Sequence, residues 1–108
     1  MDGNITIKYL QNYIKSKDDF EKYKDTYFIK LIEEVGELAR AIHKGLPAGV
    51  SADEDIKDTI DEEIYDVIYL ALALANVYGI DVESVIPRKE AISNKKYHHD
   101  DLVFEVGR

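Results

Sequence analysis

Five carboxylates in two short segments are the residues of this sequence whose types and spacing could support chemistry. Glu33, Glu34 and Glu37 belong to the segment KLIEEVGELARAI, and Glu63 and Asp66 belong to the segment DEEIYD. Each segment contains two acids three positions apart, which lie on the same side of an α-helix, one turn from each other. Two such helices packed antiparallel would aim four carboxylates at one point, where they repel one another strongly unless cations intervene.

Glu63 is the acid that a purely structural role explains least well. We expect Val67 at the centre of the buried face of its helix, and five apolar residues surround it: Ile60, Ile64, Leu70, Ala71 and Leu74. Glu63 falls only ~40° from that centre on a helical projection. An unpaired ionised carboxylate is very costly to bury, so Glu63 must be protonated, paired with a cation or bound to a metal ion. No Lys or Arg occupies an obvious neighbouring position on that face.

The residue types restrict the choice of metal. Carboxylate oxygens without Cys or His ligands suit hard ions, so the expected cofactor is Mg²⁺, with Mn²⁺ as the alternative. A di-iron bundle would need Glu-x-x-His pairs, and the sequence has none. Glu33 and Glu37 could instead form an ordinary solvated helix face. Their neighbours at helical spacing include Lys30 and Arg40, which would pair with them there.

Four helices must position these acids, since helical periodicity dominates and no segment alternates convincingly like a strand. The expected helices run from the cap Thr6 to about Ser16, from Thr26 to Lys44, from a start between Ser51 and Thr59 to Tyr78, and from the cap Asp81 onward. Gly45 and Gly79 are expected to end the second and third helices. Pro87 predicts a kink or a break in the fourth helix, because it cannot donate a backbone hydrogen bond.

The central helices carry more apolar surface than one small bundle can bury. The second helix has seven apolar residues on one face: Phe28, Leu31, Ile32, Val35, Leu38, Ala39 and Ile42. Beyond Val67 the third helix is apolar almost all round, which a lone domain of this size would struggle to cover. The sequence therefore predicts an all-α fold, a four-helix-type bundle assembled as a homo-oligomer.

Length and composition set further bounds. The 108 residues suffice for one domain, with a core of about 6–97 and a C-terminal tail of 98–108. The net charge of −8 argues against a nucleic-acid partner, because duplex binding relies on Lys and Arg. The longest apolar run, VIYLALALA, has nine residues, whereas ~20 are needed to span a bilayer. With no signal-peptide pattern at the N-terminus, we expect no membrane partner and a cytoplasmic location.

Taken together, the two acidic segments form the pattern EExxE, twenty-five intervening residues, and ExxD. This paired motif resembles the signature of the MazG-like nucleoside triphosphate pyrophosphohydrolases of the all-α NTP pyrophosphatase superfamily. The resemblance covers roughly residues 6–97 and includes the flanking words KLIEEVGELARAI and DEEIYDVIYLALALAN. It implies a Mg²⁺-dependent enzyme that converts a nucleoside triphosphate to nucleoside monophosphate and pyrophosphate, and a homodimer or homotetramer.

The resemblance also implies roles for individual residues. The metal ligands by motif position are Glu34, Glu37, Glu63 and Asp66. Glu33 would be the catalytic residue that orients and deprotonates the attacking water, or a partner of the ligands.

Many family members carry a Lys, an Asn and a later Arg beyond the apolar helix, and these reach toward phosphate. Here the segment RKEAISNKKYHH supplies Lys89, Asn94 and Lys96 as substrate-binding candidates. Tyr97 stands where the Arg is expected, which is a departure from the family pattern. A plain solvated role is the alternative for each of the three candidates.

Two other functions are compatible with the sequence. One is a narrow-substrate member of the same superfamily, such as a dUTPase-like enzyme, an enzyme acting on dUDP and dCTP, or one acting on a phosphoribosyl nucleotide. The other is a non-catalytic helical assembly module that uses metal only for stability. Retention of all five acids argues against the module, since an inactive relative has no need of a repulsive cluster.

Overall fold

The computed structural model describes residues 4–18 and 20–99, and every regular element in this part of the chain is an α-helix. The helices are α1 (Ile7–Lys17), α2 (Phe20–Tyr23), α3 (Tyr27–Lys44), α4 (Ile60–Val77) and α5 (Val82–Lys96). The all-α prediction is confirmed. The four-residue α2 was not predicted, because its segment has the charged composition of a connector.

Side-chain caps and a left-handed glycine set the predicted helix ends. The Thr6 hydroxyl accepts a hydrogen bond from the Tyr9 backbone N–H, and the Thr59 hydroxyl accepts one from that of Glu62. Each bond satisfies a backbone donor that the first helical turn leaves unpaired. Gly45 ends α3 with φ of 70°, a conformation that glycine adopts without strain. These positions agree with the prediction.

A kink or a break was predicted at Pro87, and the break is wrong, because α5 continues through this residue to Lys96. Proline fixes φ at a value that a helix tolerates, and the cost is the hydrogen bond that residue 87 cannot donate to the carbonyl of Glu83 together with the crowding of its ring against that carbonyl. Most of the predicted C-terminal tail, residues 100–108, lies outside the described residues.

The antiparallel pair of α3 and α4 is the centre of the fold, with α1 packed against α4 and α5. A loop of residues 45–59 joins the pair. The most buried apolar residues are Ile14, Tyr27, Leu72 and Ala73, and they form one cluster where α1, α3 and α4 meet. Burial of these side chains supplies the hydrophobic stabilisation of the single chain.

Hydrogen bonds of Gln11 connect α1 to the end of α4 and the start of α5. Its side chain is 5% exposed, and its amide nitrogen donates to the Asn76 side-chain oxygen at 3.0 Å and to the Ile80 carbonyl at 2.9 Å. Its amide oxygen accepts from the Val82 backbone N–H at 3.0 Å. In return, the Asn76 amide donates to the Gln11 carbonyl at 3.0 Å. Every polar atom of this buried group is therefore satisfied.

The apolar face predicted for α3 is only partly buried in the single chain. The more buried residues of this helix are Tyr27, Leu31, Glu34, Leu38 and Ala41, which share one side. The exposed fraction is 57% for Phe28, 53% for Ile32, 49% for Val35 and 58% for Ile42. An apolar stripe of α3 thus remains open to solvent.

In α4, the side that is buried is not the side centred on Val67 that the sequence predicted. Val67 is half-buried and Ile64 is 47% exposed, whereas Leu72 and Ala73 are buried. The hydropathy pattern is apolar on both sides, so it cannot tell which side α1 and α3 cover. The side that includes Ile64 is left open.

Among the described residues, no single helix is both long and apolar enough to cross a membrane. Only α4 and α5 counted together, with a bend of 100° between them, reach the required length and composition.

Candidate metal centre

Three carboxylates meet at the junction of α3 and α4. Glu34 of α3 and Glu63 and Asp66 of α4 each offer an oxygen atom, and these oxygens lie within 4.8 Å of one another. All three side chains are half-buried. We call these residues the carboxylate cluster.

The helical repeat explains why the cluster forms. Glu34 belongs to the buried side of α3, three residues beyond Leu31 and four before Leu38, so its carboxylate is carried toward α4. Glu63 and Asp66 lie one turn apart on α4. Antiparallel packing of the two helices then places both acids of α4 beside Glu34.

Burial and mutual repulsion both disfavour ionisation of the cluster. Burial raises the pKa of Glu34, and four neighbouring carboxylates, Asp66 first, raise it further. The pKa of Glu63 is raised mainly by burial and next by the charge of Asp66. The pKa of Asp66 is raised mainly by burial and next by the charge of Glu62. Within the described residues no Lys or Arg forms an ion pair with any member of the cluster.

Glu37 and Glu33, the other two acids of the motif, lie beside the cluster. A Glu37 carboxylate oxygen is 3.6 Å from a guanidinium nitrogen of Arg40, one turn along α3. The charge of Glu37 contributes to the raised pKa values of Glu34 and Glu63. Glu37 is therefore a close neighbour of the carboxylate cluster, although it is not a member of it. Glu33 is exposed and also raises the pKa of Glu34.

A cavity of about 300 Å³ opens beside the cluster, and we call it the acidic cavity. Its lining consists of Lys30, Glu33, Glu34, Asp66, Tyr69 and Leu70. Its volume is at the lower end of the range for small-molecule sites, and its polar groups converge on one space. It brings the exposed Glu33 together with two members of the cluster.

The three substrate-binding candidates of α5 are not brought to this cavity. Lys89 and Lys96 are exposed and Asn94 is half-buried. Their helix packs on α1, and it contributes no residue to the lining of the acidic cavity. Their contact with phosphate stays a prediction.

The sequence analysis did not assign Lys30 and Tyr69 of the acidic cavity to the site, and it named Lys30 only as a partner for Glu33 or Glu37 on a solvated helix face. The Lys30 ammonium forms no hydrogen bond or ion pair with any described residue. The Tyr69 hydroxyl donates to an oxygen of Asp18 at 3.0 Å, and burial, followed by this bond, raises the pKa of Tyr69. The available signal was helical spacing, since Lys30 precedes Glu34 by four residues and Tyr69 follows Asp66 by three.

Comparison with known proteins adds an independent finding. A family model described as the MazG nucleotide pyrophosphohydrolase domain matches residues 23–104. A crystal structure of N-terminally tagged iMazG from Vibrio DAT 722 is 41% identical, with a TM-score of 0.75, and the match covers 86% of this chain and 98% of that one. The C-terminally tagged form is 40% identical, with a TM-score of 0.73 and coverage of 83% and 99%. No curated protein matches the chain.

Proposed function

Because the chain belongs to the MazG nucleotide pyrophosphohydrolase family, we propose that it hydrolyses nucleoside triphosphates to nucleoside monophosphate and pyrophosphate with a divalent metal cofactor. The observation that carries this proposal is the approach of three carboxylate oxygens, from Glu34, Glu63 and Asp66, to within 4.8 Å without a paired cation. Such a cluster costs stability in the absence of an ion, so its presence indicates a use for one.

The donor atoms of the cluster fit Mg²⁺ or Mn²⁺. All are carboxylate oxygens, and hard divalent ions prefer this type of ligand. Glu34, Glu63 and Asp66 would hold the ion, and Glu37 is the fourth ligand that we propose from the motif. When bound, a divalent ion offsets the charge of the triphosphate and polarises the phosphoryl group under attack. An acidic protein can thereby accept an anionic substrate.

Glu33 is the proposed general base. It is exposed, it lines the same cavity as Glu34 and Asp66, and its carboxylate can accept a proton from water there. The water oxygen bonds to the α-phosphorus while the bond from this phosphorus to the bridging oxygen of the β-phosphate breaks. Pyrophosphate leaves with that electron pair, and Glu33 receives the proton of the water.

Positive charge for the phosphates comes from residues outside the cluster. Lys89, Asn94 and Lys96 remain proposed phosphate contacts. Because α5 packs on α1 of its own chain, away from the acidic cavity, these residues would serve the cavity of a second subunit. If they do, full activity requires assembly.

The proposed assembly is a homodimer, or a homotetramer of two such dimers, formed through the open apolar sides of α3 and α4. On α3 this surface contains Phe28, Ile32, Val35 and Ile42, and on α4 it contains Ile64, Tyr65 and Ile68, all 41–58% exposed. Monomeric proteins rarely leave so continuous an apolar surface in water. A second copy presents the same surface, as a two-fold interface requires.

The reaction is tested by incubating the purified protein with a panel of ribo- and deoxynucleoside triphosphates, with Mg²⁺ or with EDTA, and separating the products by ion exchange. We expect monophosphate and pyrophosphate in the Mg²⁺ samples alone. Turnover of dUTP alone would identify a dUTPase-like enzyme. Release of inorganic phosphate, or no turnover by a folded oligomer, would contradict the proposed reaction.

A further inference from the structure

We infer that Asp18, which lies outside the carboxylate cluster, is a positioning residue of the candidate metal centre. Its carboxylate holds α3 and α4 in the register that brings Glu34 against Asp66. It acts through the hydroxyl groups of Tyr27 and Tyr69. The inference rests on the proposed function, because it concerns the affinity of the cluster for a divalent ion.

Asp18 joins three helices through hydrogen bonds. It caps the end of α1, where its backbone N–H donates to the Ile14 carbonyl at 3.0 Å. One oxygen of its carboxylate accepts from the hydroxyl of Tyr27, the first residue of α3, at 3.1 Å. The other oxygen accepts from the hydroxyl of Tyr69, in α4, at 3.0 Å. We call this arrangement the Asp18 bridge.

The Asp18 bridge is partly shielded from solvent. Tyr27 is 2% exposed, and Asp18 and Tyr69 are half-buried. Hydrogen bonds to a carboxylate are roughly twice as strong as those between neutral groups, and a low local dielectric strengthens them further. They also have a preferred length and direction, whereas apolar contacts have no preferred direction. The bridge therefore fixes the separation of its two partners more firmly than apolar packing alone.

The Tyr69 ring has two further contacts that restrict its rotation. The Lys17 ammonium lies 5.4 Å from the ring centroid. The Tyr65 ring meets it edge-on, with the two centroids 6.1 Å apart and an angle of 74° between the planes. Both arrangements are attractive. Because the side chain has little freedom to rotate, the bond to Asp18 constrains the α4 backbone as well as the Tyr69 hydroxyl.

Helical spacing connects the Asp18 bridge to the carboxylate cluster. Tyr69 follows Asp66 by three residues, so the two lie one turn apart on the same side of α4, and both line the acidic cavity. Tyr27 precedes Glu34 by seven residues, which is two turns on the same side of α3. The bridge therefore joins the two helix sides that carry the acids, at ~5 Å from them along α4 and ~10 Å along α3.

The bridge lies toward the open end of the α3–α4 hairpin. At the other end the loop connects the two helices, and the Asp61 carboxylate accepts from the backbone N–H groups of Gly49 and Val50 at 2.8 and 3.1 Å. No loop joins the start of α3 to the end of α4. Repulsion within the carboxylate cluster acts to part the helices at this open end, and the Asp18 bridge opposes that movement.

A positioning role and a purely structural role differ in what they do to metal binding. Mutation of a group that orients metal ligands typically weakens metal affinity by about 10- to 100-fold. A bridge that only stabilised the fold would raise the melting temperature, but the folded protein would bind its ion equally well without it. The affinity of the folded protein for a divalent ion therefore distinguishes the two roles.

Titration of the metal-free protein with Mn²⁺, without nucleotide, measures this affinity, because the electron paramagnetic resonance signal of free Mn²⁺ is lost on binding. The temperature is one at which circular dichroism shows every variant folded. Asp18→Asn removes the charge and one acceptor, and Tyr69→Phe removes a single hydroxyl. Asp25→Asn and Tyr78→Phe are matched controls, because both residues are exposed and neither belongs to the bridge or lines the acidic cavity.

Val82→Ala controls for a general loss of stability. Val82 is half-buried and packs against the hydrophobic core, and it belongs to α5, which contributes nothing to the bridge or to the carboxylate cluster. Its truncation should lower the melting temperature, because it leaves a cavity, and should leave Mn²⁺ binding unchanged.

We expect Asp18→Asn to weaken Mn²⁺ binding about tenfold, and Tyr69→Phe to weaken it about threefold or more. In the double variant, Tyr69→Phe should add less than about twofold to the effect of Asp18→Asn, because the two changes weaken the same contact. The three control variants should bind Mn²⁺ like the wild-type protein.

Wild-type affinity of Asp18→Asn, additive effects in the double variant, or an equal loss of affinity in Val82→Ala would overturn the positioning role. If Asp18→Asn does not fold, Tyr69→Phe decides alone, and wild-type affinity of that variant would overturn the role. These results are compatible with pyrophosphohydrolase activity, which is measured separately with the triphosphate panel. A wild-type protein that binds no Mn²⁺ would contradict the metal centre of the proposed function, and this inference with it.

Discussion

Glu34 and Asp66 lie on different helices, separated by a fifteen-residue loop, yet a carboxylate oxygen of each is within 4.8 Å of the other. The two acids have no cation partner among the described residues, and the charge of Asp66 adds to burial in raising the pKa of Glu34. The fold therefore brings carboxylates that repel one another to the junction of α3 and α4, and a bound cation or a proton would reduce this repulsion.

Divalent ions should stabilise the protein. Millimolar Mg²⁺ or Mn²⁺ is expected to raise the melting temperature, because an ion bound to the folded state alone shifts the unfolding equilibrium and relieves the repulsion around Glu34. Differential scanning fluorimetry with and without EDTA measures the shift. Glu34→Gln should show a much smaller shift, and equal shifts in both proteins would exclude the cluster as the ion site.

Glu63→Gln should reduce turnover by at least about 100-fold while the protein remains folded, since the amide loses the charge that a metal ligand needs. Without metal the variant should be at least as stable as the wild-type protein, because one repelling charge is gone. Glu90→Gln, at an exposed position of α5, is the matched control and should keep full activity. An active Glu63→Gln variant would remove this residue from the mechanism.

Acidification should stabilise the metal-free protein relative to Glu34→Gln. Because the pKa of Glu34 in the folded state is raised above its ordinary value of 4.5, the folded state holds the proton more tightly than the unfolded state. The contribution of Glu34 to the free energy of unfolding is thus fully present below pH 4.5 and is lost as the pH rises through the folded-state pKa. Urea denaturation in EDTA across this range measures it. A stability difference between the two proteins that does not change with pH would contradict the raised pKa.

The open apolar side of α3 should be needed for assembly. Ile32→Asp is expected to convert the oligomer to a monomer of 12.4 kDa, because the charge would have to be buried at the interface. Light scattering coupled to size exclusion measures the mass. Ile92→Asp on α5 is the matched control, since Ile92 is 62% exposed and lies outside the proposed surface. A wild-type protein that elutes as a monomer would refute this assembly.

The sequence was sufficient for four of the five helices and for the approach of Glu34, Glu63 and Asp66, although it placed Glu37 in the same group. Spacing of three residues puts Glu63 and Asp66 one turn apart, and the cap Thr6 marks where α1 begins, so both depend on local geometry that a sequence specifies. The start of α4 was predicted only to lie between Ser51 and Thr59. The roles of these acids as ligands stay predictions.

The choice among apolar faces could not be predicted from the sequence. Val67 and Ala73 both lie on apolar sides of α4, and only packing against α1 and α3 decides that Ala73 is buried and Val67 half-buried. The pairing of Glu37 with Arg40 likewise depends on a rotamer that spacing permits but does not require. Lys30 resembled a surface lysine because its position beside the acidic cavity depends on the register of α3 against α4.

All three acids of the cluster come from a single hairpin of two consecutive helices, and this has a kinetic consequence. Contacts between neighbouring helices are local in sequence and form early in folding. Docking of α3 on α4 must bring Glu34 against Glu63 and Asp66 at that stage, so charge repulsion opposes the step by which the chain becomes compact. The divalent ion concentration around the newly made chain would then set how fast it folds, and chelation would slow its maturation.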